Sequence, residues 1–473
     1  ATPATGDVFV GGGWQTLLVG GLGTGGRGLY ALNVTNPSLS SADKADVLAD
    51  YTFANHDLVP SNATKPTPPG WDGVNVNTGT NSYAATMGNI SGKPIIRLMN
   101  NGDFAVISGN GTNSNDGEAG IFIFLINPTS GFSKTIFLGT EAGNSISPDG
   151  IDYVSSADLN GDHFVDYLYA GDTDGNVWRF NVTGSSSSDW HVSTFGKSSP
   201  TPLFTTASGQ PITTKILVNS NIAPNGSPQI MLQFGTGNTV PLTNTSPATY
   251  ATTQQAIYDI WDGGMSTWNG LTGATKYNAW PSGTSLPLTP GNLQTNSITN
   301  TGTASNGDQA VNVSSNNVCW AGSGTCNGGS AQYGSMLNLP SVTSNGTTLY
   351  QQVTYNPSFV EGAAVFDTTI PPYNNAYSCN SGAQTGFTYA FNPLTGGAIA
   401  NGFFRSSGTN GAAITLGGIP VSGLQLNATG SPTVVSANGT PVMVQQTVSG
   451  NPVATAVFPA GGMGSQVNWI ELR

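Results

Sequence analysis

Windows able to support a helix are almost absent from this chain. Leu, Glu, Lys and Arg never cluster, and runs of Ser, Thr, Asn and Gly interrupt the sequence throughout. Such interruptions are costly in a helix, because Gly surrenders backbone entropy there while Ser, Thr and Asn compete for the backbone hydrogen bonds. Only DKADVLADYTF, residues 43–53, supports two or three turns. Strands and turns must carry the fold, and the expected class is all-β. Glycine agrees with this: 64 of 473 residues, nearly twice the usual ~7%, supply the positive φ that tight turns require. Disorder does not agree, since it calls for low hydrophobicity with high charge, whereas 37% of these residues are hydrophobic and 8% charged.

One pattern recurs. A short apolar run leads into a Gly-rich turn and then an aromatic-centred strand ending in Asn or Thr. It begins at Leu17 (LLVGGLGTGGRGLYALNVTNP), Ala105, Leu168 (LYAGDTDGNVWRFNVTG), Met231 and Ala363, with a weaker sixth run at Pro441. The starts are 88, 63, 63, 132 and 78 residues apart. Each unit alternates apolar and polar residues, the period of half-buried strands. Four-stranded propeller blades look like this, because a blade cannot bury both faces alone and must stack on its neighbours. The spacings exceed the ~40 to 50 residues of compact blades, so long inter-strand loops are expected, above all over 265–317. The aromatics Trp14, Tyr30, Trp178, Tyr258 and Trp261 fall on the repeated strands and are expected in the core.

Charge narrows the partners. With 12 Lys+Arg against 24 Asp+Glu, the net charge is −12, which argues against nucleic acid. No stretch of 18 apolar residues is present to span a bilayer as a helix. The first residues, ATPATGDVFV, lack the basic and apolar regions of a signal peptide, as expected of a mature chain or of a fragment, the reading favoured here. Cys319 and Cys326 enclose the short loop WAGSGT, which would suit a disulfide in an oxidising compartment; Cys379 is then the leftover thiol or the partner of either.

The segment SADLNGDHFVDYLYAGD carries the strongest chemical signal. Asp158, Asn160, Asp162 and Asp166 stand at positions 1, 3, 5 and 9 of an Asp-x-Asn-x-Asp-x-x-x-Asp loop, with the carbonyl of Phe164 at position 7. Calcium takes six to eight oxygens, and alternate residues of a tight loop can turn their side chains toward a shared centre. The loop is no EF-hand: His163 replaces the usual glycine, Tyr169 stands where a bidentate Glu belongs, and both flanks read as strands. It is expected to join two strands of one blade. Asn113, Asn115 and Asp116 form a weaker candidate cation site, and DTDGN, residues 172–176, reads as a hairpin turn. Gly23, Gly25 and Gly28 match Gly-x-Gly-x-x-Gly, but LYALNV follows as a strand, not the helix that dinucleotide binding needs. Catalysis finds no support: His56, His163 and His191 are scattered, and no nucleophile elbow occurs.

Taken in order, GGGWQTLLVGGLGTGGRGLYALNVTNP, DLNGDHFVDYLYAGDTDGNVWRFNVT, TPLFTTASGQPITTK, FGTGN, IYDIWD, GSMLNLP, GAAVFDTTIPP, GFTYAFNPLTGG and NWIELR resemble the C-terminal β-propeller of the PilY family of type IV pilus assembly and tip adhesin proteins. The resemblance covers essentially all residues 1–473. It implies a single domain, a modified seven-bladed β-propeller with long inter-strand loops. It further implies one Ca²⁺ held by Asp158, Asn160, Asp162, Asp166 and the carbonyl of Phe164. A non-enzymatic role in pilus extension, retraction and surface adhesion follows, outside the cell at the pilus tip after passage through the periplasm. The partners implied are minor pilins of the tip complex and a host or abiotic surface. Larger members carry a von Willebrand factor A-like region ahead of the propeller, which this sequence lacks, and Asn160 fills a position often held by Asp. Two other readings share features: a quinoprotein propeller binding pyrroloquinoline quinone, disfavoured by only 12 basic residues, and an adhesive propeller similar to integrin α chains, which shares the DLNGD loop.

Overall fold

A computed structural model describes residues 1–36, 47–52, 83–240, 249–322, 330–344, 346–372, 384–406, 411–437, 439–459 and 465–466. Two compact units are present, Ala1–Leu203 and Phe204–Val467. In the first, antiparallel strands follow one another in chain order in three sheets. The first sheet is β1 (Ala4–Val10), β2 (Gly13–Gly21), β3 (Gly28–Asn33) and β4 (Val47–Thr52); the second is β5 (Ile95–Leu98), β6 (Phe104–Gly109), β7 (Gly120–Asn127) and β8 (Gly131–Gly139). The third holds β9 (Ile151–Ala157), β10 (Tyr167–Asp172), β11 (Asn176–Asn181) and β12 (His191–Val192).

The strand β7, GIFIFLIN, shows how these sheets cohere. Phe122, Phe124 and Ile126 pack into a cluster with Val8, Leu17, Leu29 and Tyr51 of the first sheet. The alternate residues Ile121, Ile123 and Leu125 pack with Val154, Leu168 and Trp178 of the third. A strand covered on both faces needs no polar side, which is why its sequence is continuously apolar. The expected helix over 43–53 does not form across its described part. Val47–Thr52 is β4, paired with β3, and residues 43–46 and 53 lie outside the described residues. So short a segment gains more from pairing and from burying Ala49 and Tyr51 than from helical propensity.

In the second unit, Leu217–Ile222, Pro228–Gly235, Ala256–Asp262 and Gly334–Asn338 form an antiparallel sheet in chain order, with Gln294–Asn296 added in parallel at one edge and Ser465–Gln466 at the other. The next sheet is built around Ala363–Thr369 and Thr388–Phe391, and it recruits Gly423–Leu424 and the hairpin Ile298–Thr303 with Gln309–Val313. A smaller sheet of Phe404–Arg405, Pro452–Val457, Thr440–Gln446 and Thr433–Ala437 lies against it through Met443, Val457 and Phe404. Its outermost strand is largely exposed.

Among the described residues, five sheets of blade form are present, not the seven expected. The count agrees with the five strong repeats: Leu17, Ala105, Leu168, Met231 and Ala363 each lie in an inner strand of one of the five, and the weak run at Pro441 falls in the smaller sheet. The reason is non-local pairing. The stretch 265–317, expected as loop, contributes Ser266–Gly270 as a helical turn and three strands that join existing sheets instead of building new ones.

A buried carboxyl ties the smaller sheet to its neighbour. Asp367 accepts hydrogen bonds from Thr388 Oγ1 at 2.6 Å and from Gln445 Nε2 at 2.9 and 2.8 Å. Burial pushes its pKa up from 3.8 to about 6, against the lowering effect of those two donors. The folded chain therefore holds this proton more tightly than the unfolded chain does. Stability from the group is fully present below its unfolded pKa and is lost as pH rises through about 6, a difference of about 3 kcal/mol. Asp367→Asn keeps the shape without the charge. It is expected to melt above the parent at about pH 8 and to lose this acid-side gain, as a melting series down to about pH 5 would show.

Candidate metal site

The loop from Asp158 to Asp166 joins β9 to β10, whose residues pair from Ala157 opposite Tyr167. Its path is set by positive φ at Gly161 (78°) and at His163 (73°), the latter an uncommon conformation for a residue with a side chain. The polar side chains hold that path by accepting backbone N–H groups. Asp158 Oδ1 takes Gly161 N at 2.7 Å and Oδ2 takes His163 N at 2.8 Å. Asn160 Oδ1 takes Asp162 N at 3.1 Å, and Asp162 Oδ1 takes Phe164 N at 2.9 Å. Asn160 Nδ2 donates to Asp162 Oδ2 at 2.9 Å. Asp166 lies deepest, only 3% exposed, and its Oδ2 takes Leu159 N at 2.7 Å.

Electrostatics single out Asp166. Burial pushes its carboxyl up to about 7; the Leu159 N–H pulls it down, and the charges of Asp158 and Asp162 push it up again. The crowding of like charges expected from the spacing is thus felt at the innermost oxygen. Among the described residues, no three His, Cys, Asp or Glu side chains gather as a group able to hold a metal ion. What the loop does provide is a chemically uniform set: three carboxylates, one amide oxygen and the Phe164 carbonyl on nine consecutive residues, all hard oxygen donors of the kind calcium takes. In donor type and order the residues fit that ion.

The other candidates resolve differently. Asn115 accepts from Arg27 Nη1, while Asp116 accepts from Thr86 Oγ1 at 2.6 Å and Ser114 Oγ at 3.1 Å. This weaker candidate for a metal cation thus has its oxygens engaged by a guanidinium and by hydroxyls. DTDGN forms the β10–β11 turn, as its residue types suggested: Gly175 N donates to Asp172 O at 3.2 Å. The sequence reading missed that Asp172 is fully buried beside Asp149. Burial first, then the Asp149 charge, raises the Asp172 pKa well above its usual value of 3.8. Trp178, Tyr258 and Trp261 are core residues, but Trp14 is 64% exposed at the β1–β2 hairpin, edge-on to Phe9 and Phe104. Cys319 is disulfide-bonded; Cys326 and Cys379 lie outside the described residues, as does NWIELR.

Stacked antiparallel sheets with an acidic inter-strand loop define a β-propeller protein, and a solved structure agrees. The crystal structure of the Pseudomonas aeruginosa PilY1 C-terminal domain matches 97% of this chain and 83% of its own length, with a TM-score of 0.66 at 23% identity, a likeness of fold. The family model of the PilY1 β-propeller domain matches residues 2–278, more than half of the sequence, and the chain belongs to that family. Among curated relatives, a type IV pilus biogenesis factor PilY1 homolog of Xylella fastidiosa is 30% identical over 269 residues, covering 54% of this chain and 16% of the relative. The type IV pilus biogenesis factor PilY1 of Pseudomonas aeruginosa is 27% identical over 418 residues, covering 84% and 31%. The chain therefore spans less than a third of these relatives' length. Among the described residues, no helix is long and apolar enough to cross a membrane.

Proposed function

We propose that this chain is the propeller portion of a type IV pilus biogenesis factor, working without catalysis outside the cell at the pilus tip. There it takes part in pilus extension and retraction, meets minor pilins, and contacts host or abiotic surfaces. The observation that carries the reading is the family match across residues 2–278, a span that includes the whole acidic loop. Relatives named as biogenesis factors rather than enzymes support it. The bonded Cys319 suits an oxidising compartment.

We read the loop as a calcium site held by Asp158, Asn160, Asp162, Asp166 and the Phe164 carbonyl. Calcium there supplies two positive charges against three carboxylates. Asp158 and Asp162 shape the exposed arm through their N–H contacts, and Asp166 anchors the buried end through Leu159. Deleting the gene that encodes the chain is expected to reduce surface pili and pilus-driven motility, with restoration by the wild-type gene. Complementation by Asp158→Ala should restore assembly while altering its dependence on calcium. Normal piliation and motility in the deletion would overturn the pilus reading.

A further inference from the structure

Asn100 lies outside the acidic loop, in the turn between β5 and β6, yet it is bound to the loop's exit. Its Nδ2 donates to Val165 O at 2.7 Å, 65 residues away in sequence, and to Val182 O at 3.1 Å, 82 residues away. Val165 immediately precedes Asp166, so these bonds fix the backbone that carries its carboxylate, and the nearby amide favours the charged form of that carboxylate. Around these contacts the backbone is stitched as well. Val165 N donates to Leu98 O at 3.1 Å, Met99 bridges Val165 in parallel, and Val182 N donates to Asp166 O at 3.1 Å. Met99, Val165 and Val182 share one buried apolar cluster. A single side chain thus joins three things: the second sheet's turn, the end of the loop, and the residue that follows β11 in the loop's own sheet.

We infer that Asn100 is a positioning residue for the loop, holding Asp166 and the 164–166 arm where a divalent cation can use them. The inference rests on the calcium reading above. Asp166 is the innermost carboxylate, and its oxygen direction depends on what lies behind it. Leu159 N–H fixes Oδ2 from the loop's own backbone; Asn100, from the neighbouring sheet, fixes the Val165 carbonyl on the adjoining residue. The cation affinity of a loop in one sheet is then set partly by a turn in the next, so a force or contact on that turn changes how firmly the loop is held. Outer partners of metal-binding carboxylates are typically worth 10- to 100-fold in affinity.

The test compares the wild type, Asn100→Ala, Asn100→Asp and the control Asp103→Asn, titrated with calcium chloride by calorimetry and followed without metal by amide hydrogen exchange. Asp103 belongs to the same turn but accepts from Asn101 and Asn127, away from the loop. Asn100→Ala is expected to weaken calcium binding by at least about tenfold and to speed exchange at Leu159 and His163. Asn100→Asp keeps the shape but exchanges a donor for a charge, and should speed the same amides. Asp103→Asn should bind as the wild type does. Equal affinity in wild type and Asn100→Ala, or an equal loss in Asn100→Ala and Asp103→Asn, overturns the inference. A wild type that binds no calcium overturns the calcium reading instead. In that event, unchanged metal-free exchange in Asn100→Ala overturns Asn100's hold on the loop, and faster exchange supports it.

Discussion

Asp166→Asn is expected to stabilise the metal-free protein at about pH 8 and, in the same molecule, to erase its response to calcium. Both signs come from one buried oxygen pair. The Asp166 carboxyl is pushed from 3.8 to about 7, first by burial and then by Asp158 and Asp162, so the charged form is disfavoured when no metal is bound. Stability from the group is present below the unfolded pKa and lost as pH rises through about 7, a span of about 4 kcal/mol. Asparagine removes that charge and keeps an oxygen for Leu159 N–H. Its new NH₂ needs an acceptor, so a net gain on the order of 2 kcal/mol is expected. The wild type recovers the lost stability differently: at free calcium about 100-fold above its dissociation constant, binding to the folded state alone adds about 2.7 kcal/mol. Asp158→Ala separates the two effects. It loses the calcium gain too, but without metal it is destabilised by about 1 kcal/mol, since two backbone N–H groups lose their acceptor. Urea unfolding with calcium and with chelator reads all three proteins. A wild type indifferent to chelator, or an Asp166→Asn variant less stable than the metal-free parent, defeats the electrostatic account.

What could be read from the sequence was what neighbouring residues decide. Period-two alternation and turn glycines located the inner strands from Leu17, Ala105, Leu168, Met231 and Ala363, because strand and turn are properties of a few consecutive residues. The acidic loop was legible for the same reason: all its donors lie within nine positions. Asn100 was not, since nothing near it in sequence marks an amide that acts 65 residues downstream. Nor was the link from Gln445 to Asp367, 78 residues apart. The seven-blade expectation failed on pairing of this kind, where the hairpin Ile298–Thr303 and Gln309–Val313 pairs with Gly423–Leu424, far along the chain. Trp14 was misplaced because alternation says which residues share a face and not whether a hairpin tip extends past its neighbour. Val47–Thr52 was misread for a related reason: its own residues permit a helix, and β3 decides otherwise.

The distinction between a blade and the smaller flanking sheet makes a prediction of its own. Phe124 is fully buried on β7, its ring 4.2 Å from Tyr51 and 5.6 Å from Phe122, centre to centre. The neighbouring residues on β7 are buried against the third sheet at the same time, so the strand has no free side toward which to relax. Phe124→Ala should therefore leave most of its volume empty and cost about 3 to 5 kcal/mol, a large share of the stability of an ordinary domain. Val435 is also an apolar residue on a strand, but it lies in the smaller sheet and is 46% exposed. Val435→Ala should move stability by no more than about 0.5 kcal/mol. Urea midpoints of the two variants measure the contrast. A small loss at Phe124 would mean that β7 is not held between two sheets, and the stacked arrangement that presents the acidic loop would fall with it.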